Sequence, residues 1–149
     1  MTLLLLILLP ALAQEPQVRE QAPGLSFPLP KGWSRQDLES KSIAILPPGG
    51  DARQCTVLIL PAQDVDLGPA EAHDQLFRTA TQGSTVEGKV RKSTCAGWTV
   101  SDAKVVTAQQ QELWTAVYTL QSGKRLEAIM LVAASDALFK THRPTVEQM

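Results

Sequence analysis

Two histidines and two cysteines are the side chains in this 149-residue chain best suited to catalysis or to metal binding. His73 is followed directly by Asp74, but neighbouring side chains on a helix point about 100° apart, so the two do not form a clamp. A zinc site needs three or four nitrogen, sulfur or carboxylate ligands. Recruiting Cys55 and Cys95 as ligands would remove a possible disulfide. The sequence therefore predicts neither a metal site nor a cofactor.

The second histidine, His142, follows a serine and an aspartate, the types that make a hydrolase triad. However, no G-x-S-x-G motif places Ser135 on a strained turn, and a helix cap explains this serine more simply. No catalytic residue is assigned. A hydrolase centred on His73 or His142 remains an alternative.

The start of the chain has the pattern of an export signal. Residues 3–9 are all apolar, and small residues follow, with Ala11 and Ala13 in an A-x-A arrangement. This pattern is typical of a secretory signal peptide, here residues 1–13. The run is shorter than the roughly 20 apolar residues of a membrane span. We therefore expect a secreted or periplasmic protein.

In such a compartment an even number of cysteines favours a disulfide. A bond between Cys55 and Cys95 would close about 40 residues and stabilise the fold by roughly 4 kcal/mol in the chain-entropy description. The alternative is two unpaired thiols, since spacing alone does not bring two Cα atoms within bonding range.

Charge and length restrict the possible partners. The 14 basic and 15 acidic residues nearly balance, which argues against nucleic acid or an anionic membrane surface as the main partner. The basic stretch of Lys89, Arg91 and Lys92 is interpreted as a solvated face, with a partner patch as the alternative. No second apolar stretch predicts a transmembrane span. We expect a flexible lead-in at 14–24 and one monomeric domain at 25–149.

Hydrophobic periodicity predicts the elements of this domain. A helix should begin near Pro69 and end at Gly83, and a second should follow Ser135, with a kink or break at Pro144. The result is an α+β domain, an antiparallel sheet of about six to seven strands flanked by two helices. The predicted strands are 25–29, 42–46, 55–60, the last of these central, and a four-stranded meander over 84–133.

The opening of the domain resembles a known family. The pattern F-x-L-P-x-G-W resembles the first strand of the PsbP-like superfamily, and the order of elements is similar. That superfamily includes extrinsic photosystem II subunits, a nuclear transport factor that binds a small GTPase, and small bacterial exported proteins of unassigned function, which fit this chain best. The resemblance implies a layered sandwich and a binding or accessory role, and it transfers no catalytic residue. The matching residues are Phe27-Pro28-Leu29-Pro30-Lys31-Gly32-Trp33.

These observations favour an exported, non-enzymatic binding or accessory module whose protein partner or small ligand is unknown. If one face of the sheet is left uncovered, Trp98 and Tyr118 are the candidates to line a binding groove. A hydrolase and a structural envelope protein are the alternatives.

Overall fold

The fold consists of nine strands and two helices in the part of the chain that the structure describes. A computed structural model describes residues 19–22 and 25–149; the predicted signal peptide lies outside them. The strands are β1 (Arg19–Ala22), β2 (Leu25–Pro28), β3 (Ser34–Asp37), β4 (Ile43–Leu46), β5 (Cys55–Asp64), β6 (Ser84–Cys95), β7 (Trp98–Thr107), β8 (Glu112–Ser122) and β9 (Arg125–Ala133), and the helices are α1 (Pro69–Ala80) and α2 (Asp136–Glu147).

Seven of these strands form one antiparallel sheet in the order β3-β4-β5-β9-β8-β7-β6. The predicted meander is confirmed, because β6 to β9 are neighbours in chain order. The predicted central strand is also confirmed, since β5 lies between β4 and β9 and alternates buried with partly buried residues. The α+β class predicted from the sequence is therefore correct.

The two helices cover opposite faces of this sheet. Neighbouring residues on a strand point to opposite faces, and on β8 Tyr118 packs in one core cluster while Val117 packs in another. The Tyr118 cluster contains Phe139 of α2, and the Val117 cluster contains Phe77 of α1. The sheet is thus the middle layer between α1 and α2.

The beginning of the domain differs from the prediction. β2 pairs with β1 in a separate two-stranded ribbon, so Arg19–Ala22, within the predicted flexible lead-in, forms a strand. The ribbon is held against the sheet by Phe27, which is buried in the α2-side core. The sequence also gave no sign of β3, because Ser34–Asp37 is wholly polar and joins the sheet edge through main-chain pairing with β4.

Helix α1 begins as predicted, with Pro69 in its first turn, where a missing N–H leaves no bond unmade. Helix α2 also begins as predicted, because the Ser135 hydroxyl accepts a hydrogen bond from the backbone N–H of Leu138 at 3.2 Å. The predicted break at Pro144 does not occur, and α2 continues to Glu147. Packing of Val146 into the core stabilises this last turn beyond the proline.

Candidate functional site

An apolar cavity of about 400 Å³ lies on the α2 side of the sheet. The ribbon, the β6–β7 hairpin, β8, β9 and the C-terminal end of α2 all contribute to its wall. A cavity of this size is within the range of small-molecule sites, roughly 300–1,000 Å³. Its lining consists of Leu25, Ser26, Phe27, Cys95, Ala96, Trp98, Tyr118, Leu120, Ile129, Val146, Glu147, Gln148 and Met149.

Both aromatic residues proposed from the sequence line this cavity. Trp98 begins β7 after a tight turn in which Ala96 and Gly97 have φ angles of 48° and 87°. Tyr118 lies in the middle of β8 and pairs with Ile129 of β9. Trp98 and Tyr118 reach the same cavity because β7 and β8 are neighbours in the sheet. The sequence pattern did not specify the register between these two strands.

A carboxylate stands beside the phenol in the cavity wall. The Tyr118 hydroxyl donates to Oε1 of Glu147 at 3.4 Å, and the same carboxylate accepts from Nε of Arg143 at 2.7 Å. Burial, followed by the negative charge of Glu147, raises the pKa of Tyr118, so the phenol stays protonated and remains a hydrogen-bond donor.

The same arginine connects the cavity wall to a buried carboxylate in the sheet. Asp102 of β7 is 2% exposed and accepts from Nη1 of Arg143 at 2.9 Å and from Nη2 of Arg91 at 2.6 Å. Burial opposes the charge of Arg143, but its hydrogen bonds with Glu147 and Asp102 outweigh this effect and raise the pKa of Arg143. The result is a chain of polar contacts from the cavity wall into the sheet.

Sequence reasoning missed Asp102 and Glu147. The available signal was Asp102 itself, a charged residue between the apolar Val100 and Ala103 of β7, because a buried charge requires a partner. No signal in the sequence identified Glu147, which belongs to the cavity only because α2 ends there.

The predicted disulfide is not present. Cys55 and Cys95 are free thiols, and the sheet order separates their strands, β5 and β6, by four steps of about 4.8 Å, or about 19 Å in all. A disulfide requires Cα atoms within about 7 Å. Cys55 is buried in the core, where burial raises the pKa of its thiol to about 11. Cys95 is partly buried and lines the cavity.

His73 lies outside the cavity, on the face of α1 that packs against the sheet. Its Nδ1 is 2.6 Å from the Thr119 hydroxyl and its Nε2 is 2.7 Å from the Ser101 hydroxyl. The side chain is 1% exposed, and burial lowers its pKa. These contacts satisfy the hydrogen-bonding needs of both ring nitrogens and join α1 to β7 and β8. A structural role is therefore enough to account for a buried, neutral histidine at this position.

His142 lies on α2 and is also absent from the cavity lining. Its ring meets Trp33 edge to face, with 5.3 Å between the ring centroids. Ser135, the residue that could have completed a triad with it, caps the helix. Ser135 thus has a structural role at the start of α2.

The basic stretch on β6 is largely paired. Nζ of Lys92 is 2.7 Å from Oδ1 of Asp74, and Arg91 contacts Asp102. Ion pairs of this kind leave little free positive charge for a partner. The arrangement agrees with the interpretation of this stretch as part of a solvated face.

Residues 19–22 and 25–149 show neither a metal-binding cluster nor a helix suited to span a membrane. Within these residues, no group of three or more histidine, cysteine, aspartate or glutamate side chains is arranged to hold a metal ion. None of the helices described is both long and apolar enough to cross a membrane.

Comparison with known proteins identifies proteins of similar fold but does not assign the chain to a family. No family model and no curated protein matches the chain. LpqN of Mycobacterium tuberculosis, a protein involved in cell envelope biogenesis, is similar in structure, with a TM-score of 0.53 and 16% identity over 81% of this chain and 76% of that chain. PA94, a Pseudomonas aeruginosa protein of unknown function, has a TM-score of 0.47 and 16% identity over 88% of this chain and 91% of that chain. At this identity the similarity to LpqN shows a shared fold alone.

Proposed function

We propose that this protein is an exported, non-enzymatic binding module whose cavity holds a small apolar ligand. The observation that carries the proposal is the cavity itself, which is walled mainly by apolar and aromatic side chains and contains neither histidine. Binding sites for small molecules typically combine an apolar wall with a few placed polar groups. Here those groups include the Tyr118 hydroxyl and the Glu147 carboxylate.

Export and membership of the PsbP-like superfamily are parts of the same proposal. They are supported by the pattern of residues 1–13 and by the F-x-L-P-x-G-W opening. The shared fold with LpqN, a cell-envelope protein, is compatible with an accessory role in the envelope. A structural envelope protein, the other non-enzymatic alternative, has no specific feature that favours it among the residues described.

The binding test uses N-phenyl-1-naphthylamine, a neutral apolar dye that fluoresces when it leaves water. We expect saturable binding of one dye per chain. Trp98→Ala should weaken binding by about tenfold, since an aromatic wall contributes large contact area. Trp114→Ala is the matched control, because Trp114 is also partly buried against the α2-side core but does not line the cavity. Dye binding that is absent, or equally impaired by both variants, would contradict the proposal.

One contact favours a hydrolase as the second candidate. The 2.7 Å separation of Ser101 Oγ and His73 Nε2 matches a nucleophile and its base. Against it, both side chains are 1% exposed, and the other ring nitrogen meets the Thr119 hydroxyl instead of a carboxylate. Ester turnover that is abolished by both Ser101→Ala and His73→Gln, with folding retained, would establish this alternative.

A further inference from the structure

The charged side chain that the cavity wall presents is acidic, and its basic partner Arg143 lies outside the lining. Glu147 is the one charged residue in the described lining, which includes no lysine, arginine or histidine. The nearest cation to this carboxylate, Arg143, stands behind the wall and is shared with Asp102. The carboxylate is therefore the ionic group that a ligand in the cavity would meet.

A second feature adds to this negative potential. The C-terminal end of α2 forms part of the wall through Val146, Glu147 and Gln148. A helix carries partial negative charge at its C-terminus, where basic side chains normally compensate it. The last turn of α2 has no basic residue. The partial charge at the end of α2 and the Glu147 carboxylate therefore both make the electrostatic potential in the cavity more negative.

The pKa of the Tyr118 phenol in the cavity wall is affected by this negative charge. Burial is the main cause of the raised pKa of Tyr118, the negative charge of Glu147 adds to it, and the opposing effect of Arg143 is smaller.

From the Glu147 carboxylate in the lining and the C-terminal end of α2 beside it, we infer that the cavity selects apolar molecules carrying a protonated amine and rejects their carboxylate counterparts. The apolar body of such a ligand contacts Trp98 and its neighbours. Its ammonium group lies at Glu147 and the end of α2. The inference rests on the proposed binding function and adds the chemical class of the ligand.

The test compares three probes with the same eight-carbon chain: n-octylamine, n-octanol and octanoate. Each displaces N-phenyl-1-naphthylamine from the full-length protein at about pH 7.5 and low salt. We expect octylamine to bind at least about tenfold more tightly than octanoate, with octanol between them. Raised salt should narrow the difference, since Glu147 is partly exposed.

Glu147→Gln should reduce the amine-to-carboxylate preference to about threefold or less while octanol binding stays within about twofold. Glu71→Gln, a change in the first turn of α1 away from this cavity, is the matched control and should keep the full preference. Retained octanol binding shows that Glu147→Gln leaves the cavity formed.

The outcomes separate the two proposals. If octanol and the dye bind but octanoate binds as tightly as octylamine, or if Glu147→Gln keeps the preference, the charge selection is wrong and the binding function stands. If neither the dye nor any of the three probes binds the wild-type protein, both proposals fall. If loss of octanol binding accompanies Glu147→Gln, Glu147 shapes the cavity instead of selecting charge, and the inference is overturned.

Discussion

Arg143 on α2 and Asp102 on β7 form an ion pair between the helix and the sheet, with Nη1 2.9 Å from Oδ1 although 41 residues separate them in sequence. The Asp102 side chain is 2% exposed and that of Arg143 is 24% exposed. A charge buried to this degree requires a compensating partner. The pair therefore fixes the position of α2 on the sheet, and with it the wall of the cavity.

Removing the charge of Asp102 should destabilise the fold strongly. Asp102→Asn leaves the guanidinium of Arg143 without a buried counter-ion, and we expect a loss of about 3 kcal/mol in the free energy of unfolding. Asp37→Asn is the control, because its pair with Arg35 lies at the surface and contributes less than about 1 kcal/mol. Urea denaturation measures both, and equal losses would contradict this account of the buried pair.

His73 should make stability depend on pH. Burial lowers its pKa in the folded state below the ordinary value of 6.5, so the unfolded chain takes up a proton first as the pH falls. The free energy of unfolding should therefore be greatest above about pH 6.5 and decrease as the pH falls toward the folded-state pKa.

His73→Gln removes this titration. The variant should be less stable than wild type at neutral pH and should lose less further stability between about pH 7.5 and pH 5. His142 also has a pKa lowered by burial, so part of the dependence should remain in the variant. Urea denaturation series at the two pH values provide the measurement. An unchanged difference between them would show that His73 does not titrate on unfolding.

The core between the sheet and α2 should tolerate truncation poorly. Phe139 is 2% exposed, and Phe139→Ala should lower the free energy of unfolding by about 3–5 kcal/mol through lost burial and a residual cavity. Val90→Ala, at a 37% exposed position on β6, should change stability by less than about 0.5 kcal/mol. Similar losses of unfolding free energy in the two variants would show that α2 does not pack against the sheet in solution.

The two cysteines should be distinguishable by their reactivity. In the folded protein Cys95 should react with a thiol reagent such as iodoacetamide, while Cys55, which is 1% exposed, should react only after denaturation. Mass spectrometry without reductant counts the alkylated thiols and also identifies the first residue. A mass two hydrogens below that of the dithiol would contradict the free thiols seen in the structure. A mass equal to that of a chain whose first residue is Gln14 would support the predicted signal peptide.

Local pattern predicted much of the fold because many of its elements carry their signals within a few residues. The alternation of Trp114, Ala116 and Tyr118 is typical of a strand whose alternate residues share one face, and Ser135 predicted the start of α2. The prediction failed where a strand had no such pattern. β3 is polar throughout, and it is a strand because the main chain of β4 offers it hydrogen-bond partners.

The sequence by itself determined the residue types, their periodicity and the class of the fold. Tertiary structure alone decided that Trp98, Tyr118 and Glu147 share one cavity, that Arg143 reaches Asp102, and that the two cysteines lie four strand positions apart. The physical reason is that a strand's own pattern specifies which residues are buried, whereas strand order and helix placement follow from contacts between residues distant in the chain. The cavity and its charge depend on those contacts.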